Sequence, residues 1–279
     1  MDLSIIMINH NTKNLTEQAI ASILQTGTVY SYEIIVVDNS DKPEEKVVYQ
    51  DPHVVILPDV ENKGFAHGCN AGVAVARGEY YLFLNSDTIM QPDTLDMSLL
   101  YMKTHKAVGG FGVKLVLADG TLDHACRRGF PTPWNALCYF SKIDRVFPKI
   151  KIFNGYCLRY LSDSTMHEID AVNGAYLLMP KSVYEQTGGF DETFFMYGED
   201  LDLCYKIHLA GYKVVYDPLL TCIHLKGKSG RASKNPFVQY HFYNAMLIFY
   251  ERYYSGKYGG PIGWLVKMVL KRKVKQYQR

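Results

Sequence analysis

The first hundred residues alternate short apolar runs with helical patterns, and this alternation restricts the fold more than any other feature of the chain. Apolar runs of the buried-strand type lie at Leu3–Ile8, Glu33–Val37, Val54–Leu57 and Tyr80–Leu84. A helix with one apolar face follows the first run, and a helix of small residues precedes the fourth. Strands that alternate with helices predict a parallel, doubly wound sheet flanked by helices.

The fourth apolar run ends directly in Asn85-Ser86-Asp87. Side chains alternate along a strand with a period of two, so Asn85 and Asp87 point to the same side. In open α/β sheets, ligands bind in the crevice at the carboxyl ends of the strands. The oxygens of both side chains suit Mg²⁺ or Mn²⁺ carrying a diphosphate.

A second acidic pair, Glu199 and Asp200, lies where a glycine-preceded loop turns into a helix. The helix is indicated by the spacing of Leu201, Cys204 and His208. Carboxylates at a helix start also have a purely structural explanation, because the helix dipole favours them by roughly 0.3–1 kcal/mol. The order of polar clusters along the chain nevertheless favours a catalytic role.

The pattern changes from about residue 108 onward. Val108–Val116, Tyr176–Met179 and Lys213–Tyr216 are predicted strands, whereas Ala118–Thr165 is long, aromatic and weakly periodic. A stretch of that length inside a compact domain is usually functional. A basic, glycine-rich loop follows His224.

Composition indicates an ordinary globular protein: 48% of the 279 residues are hydrophobic and 21% are charged. The formal net charge of +2 indicates no nucleic-acid partner. The N-terminus lacks the basic region of a signal peptide, and the scattered cysteines argue against zinc and a disulfide scaffold. These features predict a cytoplasmic protein with reduced thiols.

The C-terminal tail is basic, with no acidic residue after Glu251. Pro261–Arg279 combines Trp264 and several aliphatic residues with Lys and Arg. Such a segment suits a helix lying on the inner-leaflet surface of a membrane, which would make the protein peripheral at the cytoplasmic face. A helix docked on the domain with a solvated basic face suits it equally, and the sequence leaves both open.

Several segments, in order, resemble the family 2 glycosyltransferases of the GT-A fold, particularly the bacterial rhamnosyltransferase-like members. The segments are LSIIMINHN, VVDNSD, NKGFAHGCN, LNSDT, the long stretch from VNGAYLLMPK to FFMYGEDLDLCYK, and GYKVVYDP. Together they cover residues 3 to about 230. The resemblance implies a Rossmann-like, mostly parallel sheet with a C-terminal helical extension, and metal-dependent, inverting hexosyl transfer.

The resemblance also implies roles for particular residues. Asp200 matches the catalytic base, with Glu199 beside it, and Asp87, Asn85 and His224 match metal or diphosphate contacts. The implied nucleotide-binding residues are Asn9, Asp38, Asn62, Lys63, Gly64, Phe65, Asn85, Ser86 and Arg231. Arg127, Arg128 and Trp134 match an acceptor-side stretch of the rhamnosyltransferase-like subgroup.

One position departs from the family pattern. Asn85 stands where the family's D-x-D motif begins, so one negative charge of the metal site is missing. Similar N-x-D members exist in the resembled subgroup, and Mg²⁺ and Mn²⁺ both stay open. The donor also stays open between dTDP-sugar and UDP-sugar, because thymine and uracil share the same hydrogen-bonding edge.

The resemblance implies transfer of a sugar to a glycan or lipid-linked saccharide in bacterial cell-surface polysaccharide synthesis. The sugar that it favours is L-rhamnose, donated by dTDP-L-rhamnose. The alternative is a catalytically weak sugar-nucleotide-binding subunit that serves a partner transferase. The expected organisation is a transferase domain at 1–235, divided into a nucleotide-binding half at 1–107 and an acceptor-side half at 108–235. A basic helical extension at 236–279 completes it. The sequence does not indicate an oligomeric state.

Overall fold

The computed structural model describes residues 1–225 and 235–278. The strands are β1 (Leu3–Asn9), β2 (Tyr32–Asp38), β3 (Val54–Leu57), β4 (Tyr80–Leu84), β5 (Thr88–Met90), β6 (Val108–Leu117), β7 (Arg127–Arg128), β8 (His167–Ile169), β9 (Ala171–Val172), β10 (Tyr176–Pro180) and β11 (Lys213–His224). The α-helices are α1 (Lys13–Thr26), α2 (Phe65–Val75), α3 (Thr94–Thr104), α4 (Pro133–Phe140), α5 (Ile143–Val146), α6 (Lys181–Thr187), α7 (Glu199–Leu209), α8 (Pro236–Tyr253) and α9 (Gly260–Tyr277).

One large sheet forms the centre of the molecule, with strand order β3-β2-β1-β4-β10-β6-β11-β5. The first four strands in that order pair in parallel, and β10 lies antiparallel between β4 and β6. Strand β11 is parallel to β6 and antiparallel to β5 and β8. The predicted α/β architecture with a mostly parallel sheet is therefore confirmed.

The core lies on both faces of the central strands. Every residue of β4 is buried, as the unbroken apolar run Tyr80–Leu84 predicts for a strand covered on both sides. Helix α1 covers the sheet through residues such as Ile20 and Ile23, which recur on one helical face. Helix α2 approaches more closely, because a Cβ at Gly72 would contact Ile6 and Val37.

Strand β11 is longer than the sequence predicts. The strand was predicted to end at Tyr216, and the next two residues, Asp217 and Pro218, are typical of a turn. The register against β6 does shift between Asp217 and Thr221, but pairing then resumes as far as His224. The irregularity is a bulge within the strand, where Pro218 has no N–H to donate. As a result, β11 carries His224 to the end of β4.

The long segment between β6 and β8 is built of short elements. Strand β7 pairs antiparallel with β9 in a separate two-stranded ribbon, which holds Arg128 next to the start of α7. Helix α4 begins at Pro133, and its N-cap residue Thr132 accepts a hydrogen bond from Asn135 N–H at 3.2 Å. These elements cover one side of the crevice at the sheet edge.

The two C-terminal helices pack against each other, and α8 also contacts α7. Arg252 of α8 forms ion pairs with Asp202 of α7 at 2.7 Å and with Asp191 at 2.6 Å. Tyr253 donates a further hydrogen bond to the buried Asp202 at 2.7 Å. Among the described residues, no helix is long and apolar enough to cross a membrane.

Candidate active site

A cleft of about 1360 Å³ opens at the carboxyl ends of the central strands. It therefore lies where a doubly wound sheet is expected to bind its ligand. Most of the candidate site residues identified in the sequence line this cleft. These are Asn62, Gly64, Phe65, Asn85, Ser86, Asp87, Arg128, Glu199, Asp200 and His224.

The ends of β4 and β11 meet at one side of the cleft. His224 Nε2 lies 3.2 Å from Asp87 Oδ1 and 3.4 Å from Asn85 Nδ2. The other ring nitrogen of His224 lies 3.0 Å from Asp123 Oδ2. Burial lowers the pKa of His224, but hydrogen bonds to Asp123 and Asp87 outweigh it and raise the pKa to about 9.

The donor set at this position fits a hard divalent cation. Within the described residues, no three His, Cys, Asp or Glu side chains are grouped as a metal site, and the amide of Asn85, whose Nδ2 faces the ring, would have to turn its oxygen to a cation to complete the set. Asp123 holds the Nδ1 side of His224, as a carboxylate commonly does behind a metal-binding histidine. A cation held by both Asp87 and His224 would require the unprotonated ring, so its binding would release a proton.

Asp200 lies at the first turn of α7 and is buried. Its Oδ2 accepts hydrogen bonds from Arg128 Nη2 at 2.6 Å and from Gly174 N–H at 3.1 Å. Its Oδ1 accepts a bond from Leu201 N–H at 2.7 Å. The same guanidinium nitrogen of Arg128 also donates to the carbonyl of Val172 at 2.7 Å. The carboxylate is thus fixed by an ion pair and two backbone groups.

The ion pair between Arg128 and Asp200 is buried on both sides. Burial alone lowers the pKa of Arg128, but the Asp200 carboxylate more than offsets this and leaves the pKa above its ordinary value. Arg128 was expected on the acceptor side from the sequence. In the structure it contacts the carboxylate expected to be the base.

Glu199 is buried beside Asp200, and both line the cleft. Burial, together with the neighbouring Asp200 carboxylate, raises the pKa of Glu199 to about 8. Its Oε2 has no hydrogen-bond partner among the described residues. A buried carboxyl oxygen without a hydrogen-bond partner has an unfavourable free energy when it is charged. Glu199 therefore carries its proton at neutral pH.

The loop before α2 forms the opposite wall. Gly64 has a φ of +105°, and a Cβ at this position would collide with the carbonyl oxygen of Phe195. That carbonyl accepts a hydrogen bond from Phe65 N–H at 2.9 Å. Asn62 caps the turn by accepting a bond from Gly64 N–H at 3.2 Å. Lys63 points elsewhere and pairs with Glu61 at 2.7 Å.

Asn9 and Asp38 lie behind the cleft wall. Asn9 is fully buried and joins Ser40 to Thr16 by hydrogen bonds of 2.8 Å each. The carboxylate of Asp38 accepts backbone N–H bonds from Ser40 at 3.0 Å and from Val47 at 2.7 Å. Both side chains hold the loops that form the wall, and their contact with a nucleotide stays a prediction.

Two residues expected on the acceptor side lie outside the cleft. Arg127 pairs with Asp163 at 2.6 Å and stacks over Tyr216. Trp134 is 47% exposed and lines a separate cavity of about 490 Å³ on the far side of α4. The acceptor role of both therefore stays a prediction. Arg231, assigned to the nucleotide, lies outside the described residues.

The sequence did not single out several residues that the structure brings to the cleft. Asp123, which holds His224, lies within the weakly periodic segment after β6 and carries no motif. The apolar wall includes Phe195 and one face of α8. Phe242, Ala245, Met246 and Phe249 share that face, with helical spacing of three and four residues. That spacing was the available signal.

Comparison with known proteins agrees with this geometry. Residues 4–169 match the model of glycosyl transferase family 2. Rhamnosyltransferase WbbL of Escherichia coli K12 is 27% identical over 251 residues, which are 85% of this chain and 88% of that protein. The N-acetylglucosaminyl-diphospho-decaprenol L-rhamnosyltransferase of Mycobacterium tuberculosis is 25% identical over 279 residues, or 95% of this chain and 89% of that protein.

Other matches concern longer proteins or the fold alone. An uncharacterized protein of Sinorhizobium fredii is 26% identical over 238 residues, which are 25% of that longer protein. The solved structure of a mannosyltransferase from Pyrobaculum calidifontis, in complex with GDP-Man and Mn²⁺, aligns with a TM-score of 0.57. It is 15% identical, and the alignment covers 99% of this chain and 72% of that one. The family match covers more than half of the chain, so the protein belongs to glycosyl transferase family 2 and is a glycosyltransferase of the GT-A fold.

Proposed function

We propose that the protein transfers a sugar from a nucleotide diphosphate donor to a hydroxyl of a lipid-linked saccharide, and that the sugar is L-rhamnose. The observation that carries this proposal is one cleft lined both by Asn85, Asp87 and His224 and by the acidic start of α7. A sugar-nucleotide transferase needs a diphosphate-holding group and a proton acceptor around the same substrate. The two rhamnosyltransferase relatives support the choice of donor sugar.

The diphosphate end of the cleft is assigned to Asp87, Asn85 and His224. These residues would hold a divalent cation, Mg²⁺ or Mn²⁺, which would supply positive charge to offset the charge that develops on the leaving diphosphate. The walls around Asn62–Phe65 and Ser86 receive the nucleoside. Asn9 and Asp38 support that wall from behind, and Lys63 and Arg231 complete the assigned set.

Asp200 is assigned as the general base of an inverting displacement. The acceptor oxygen forms a bond to the anomeric carbon from the face opposite the diphosphate. The bond from that carbon to the diphosphate oxygen breaks, and its electron pair leaves with the nucleotide diphosphate. The proton of the acceptor hydroxyl moves to Asp200, whose Oδ1 accepts one hydrogen bond and retains a further lone pair.

Arg128 positions this base, and Glu199 supports it. The guanidinium holds the Asp200 carboxylate in one orientation through a charge-assisted hydrogen bond. Glu199 is protonated at neutral pH and therefore acts as a hydrogen-bond donor to the loop or to an acceptor hydroxyl. The acceptor-side half, 108–235, supplies Arg128 and Glu199 and also contributes His224 to the diphosphate end. The nucleotide-binding half, 1–107, supplies Asn62–Phe65 and Ser86.

A binding subunit without its own transfer activity is the second candidate. Asn85 lacks the negative charge that an acidic residue would add to a metal site, and Asp200 is already engaged in an ion pair with Arg128. Both features suit a protein that holds a sugar nucleotide for a partner enzyme. They also suit an active enzyme whose base becomes competent when the acceptor enters.

A donor panel separates these candidates. Purified protein is incubated with Mg²⁺ or Mn²⁺, an N-acetylglucosaminyl-diphospho-polyprenol acceptor, and dTDP-rhamnose, UDP-N-acetylglucosamine, UDP-glucose or GDP-mannose. We expect acceptor-dependent release of dTDP from dTDP-rhamnose above release from the other donors. Turnover of another donor corrects the sugar, whereas thermal protection by dTDP without any turnover supports the binding subunit.

A further inference from the structure

The C-terminal helix α9 packs on α8 through one face. Leu270 and Gly263 are buried there, and a Cβ at Gly263 would collide with the carbonyl of Tyr258. The rings of Tyr243 and Tyr277 stack with centroids 5.8 Å apart, which fixes the two helices as an antiparallel pair. Lys267 pairs with Glu251 of α8 at 3.1 Å. The helix is therefore part of the folded molecule.

The opposite face of α9 is apolar and exposed. At 100° per residue, this face projects away from Gly263 and Leu270. Trp264 is 67% exposed and Ile262 is 64% exposed, and three further apolar side chains lie beside them. These are Leu265, Met268 and Val269. A contiguous apolar strip of this kind on a surface helix marks an interaction site.

The same outer face becomes basic toward its C-terminal end. Arg272 and Lys275 are exposed there, and Lys271 is exposed at the edge of the face, 3.8 Å from Glu251 of α8. From residue 252 to residue 279 the chain has eight Lys or Arg and no Asp or Glu. A helix with Trp and aliphatic residues beside lysines and arginines has the composition of one that lies in the plane of an anionic membrane.

We propose that the outer face of α9 docks on the surface of a bilayer that contains anionic lipid. Trp264, Leu265 and Val269 insert at the boundary of the acyl chains, while Lys271 and Lys275 pair with lipid phosphates. Charge complementarity favours this occupant over a second copy of the chain. Two copies meeting through this face would bury its lysines and arginines without an acidic partner, because α9 contains no Asp or Glu.

The helical pair also connects this surface to the cleft. The face of α8 with Phe242, Met246 and Phe249 lines the cleft, while another face of α8 holds α9. Docking of α9 therefore sets the apolar cleft wall at a fixed place relative to the bilayer. This link between the bilayer and the cleft rests on the proposed function, because it is relevant only if the acceptor is carried by a lipid. The docking of α9 on a bilayer does not depend on the proposed function.

Co-sedimentation with vesicles, without donor or acceptor, tests the proposal. The vesicles are phosphatidylcholine alone or phosphatidylcholine with about a third phosphatidylglycerol. The apolar variant is Leu265→Ser with Val269→Ser, and its matched control is Met97→Ser with Leu100→Ser on α3, where both side chains are also exposed. The charge variant replaces Lys271, Arg272 and Lys275 by Gln. Melting temperatures check that each variant is folded.

We expect the wild type and the α3 control to bind the anionic vesicles, with binding that falls as salt increases. The charge variant should bind roughly fivefold more weakly per residue replaced, which is the fold-change for about 1 kcal/mol near an anionic surface. The apolar variant should also lose binding. Equal binding of all proteins, or none by the wild type, overturns the proposal. So does a wild-type dimer in sedimentation equilibrium that Leu265→Ser with Val269→Ser dissociates.

Discussion

At the residue scale, the acidic start of α7 contains two carboxyl groups in different environments. Asp200 accepts hydrogen bonds from the guanidinium of Arg128 and from two backbone N–H groups. Glu199 is buried and has no such partner on Oε2 among the described residues, and burial beside Asp200 raises its pKa to about 8. One carboxyl group is thus held by an ion pair and the other is not, and different environments of this kind give adjacent acids separate roles in an active site.

The elevated pKa of Glu199 predicts a pH-dependent stability. Between the ordinary glutamate value of 4.5 and about 8, the folded protein keeps a proton that the unfolded chain releases. Because the unfolded state binds fewer protons, the free energy of unfolding falls as the pH rises through this window. Glu199→Gln removes this loss. Its stability relative to wild type, from urea denaturation, should therefore rise between about pH 5 and about pH 8.

Asp119→Asn provides the control for this measurement. Hydrogen bonds from Thr121 lower the pKa of Asp119. Its carboxylate is therefore ionised in both the folded and unfolded states above about pH 5, and the difference from wild type should stay level there. A level difference for Glu199→Gln as well contradicts the assignment of a neutral, buried Glu199.

The polar residues that the sequence placed correctly follow strands with clear boundaries. Asn85 and Asp87 line the cleft because the preceding apolar run fixes the end of β4. The adjacent pair Arg127 and Arg128 was harder to interpret, since neighbouring residues of a strand point to opposite faces. Arg128 reaches Asp200, whereas Arg127 turns to Asp163. No local pattern indicates which of the two faces the cleft.

At the element scale, the site depends on two strands whose ends meet. The run Tyr80–Leu84 is apolar throughout, so the sequence predicts β4 with its observed boundaries. Strand β11 was predicted to stop at Tyr216. In the structure, Asp217 and Pro218 begin a bulge and not a turn, and the strand continues after it. The segment around α4 was not predictable in detail, since short elements there are held by long-range contacts.

The meeting of β4 and β11 predicts a metal-dependent response to nucleotide. With Mg²⁺ or Mn²⁺, dTDP should raise the melting temperature of the wild type, and EDTA should reduce that rise. Asp87→Ala should abolish the metal-dependent part, because it removes the carboxylate that lies 3.2 Å from His224 Nε2. Asn85→Ala should weaken it, and Asn85→Asp should retain or strengthen it by adding a negative charge.

Differential scanning fluorimetry supplies the measurement. Lys181→Ala is the control, because Lys181 on α6 pairs with Glu185 and does not line the cleft. Its metal-dependent shift should equal that of the wild type. Identical shifts with and without EDTA, in the wild type and in all the variants at 85 and 87, contradict the metal assignment.

At the scale of the whole molecule, the sequence left two alternatives for the C-terminal tail, and the structure shows why periodicity could not choose between them. Helix α9 has apolar residues on two faces. Leu270 and Gly263 pack inward, while Trp264 and Leu265 point outward. A docked helix and a helix that meets another surface are therefore compatible, and the apolar residues of both faces are mixed in the sequence.

At this scale we expect the whole cleft to catalyse sugar transfer, and not only to bind the sugar nucleotide. Asp200→Asn tests this claim most directly, because the amide oxygen can still accept the hydrogen bonds of Arg128 and Gly174 while it no longer takes a proton. Melting temperatures establish that the variant is folded, and Glu199→Gln serves as the neighbouring comparison.

The measurement is the rate of dTDP release from dTDP-rhamnose with acceptor present, together with the melting shift produced by dTDP. We expect Asp200→Asn to lower kcat by roughly 10²–10⁴-fold, the usual contribution of a general base, while the dTDP shift stays at the wild-type value. Glu199→Gln should lose less activity. Near-wild-type turnover by Asp200→Asn contradicts the account; if Glu199→Gln is then inactive, the base is Glu199.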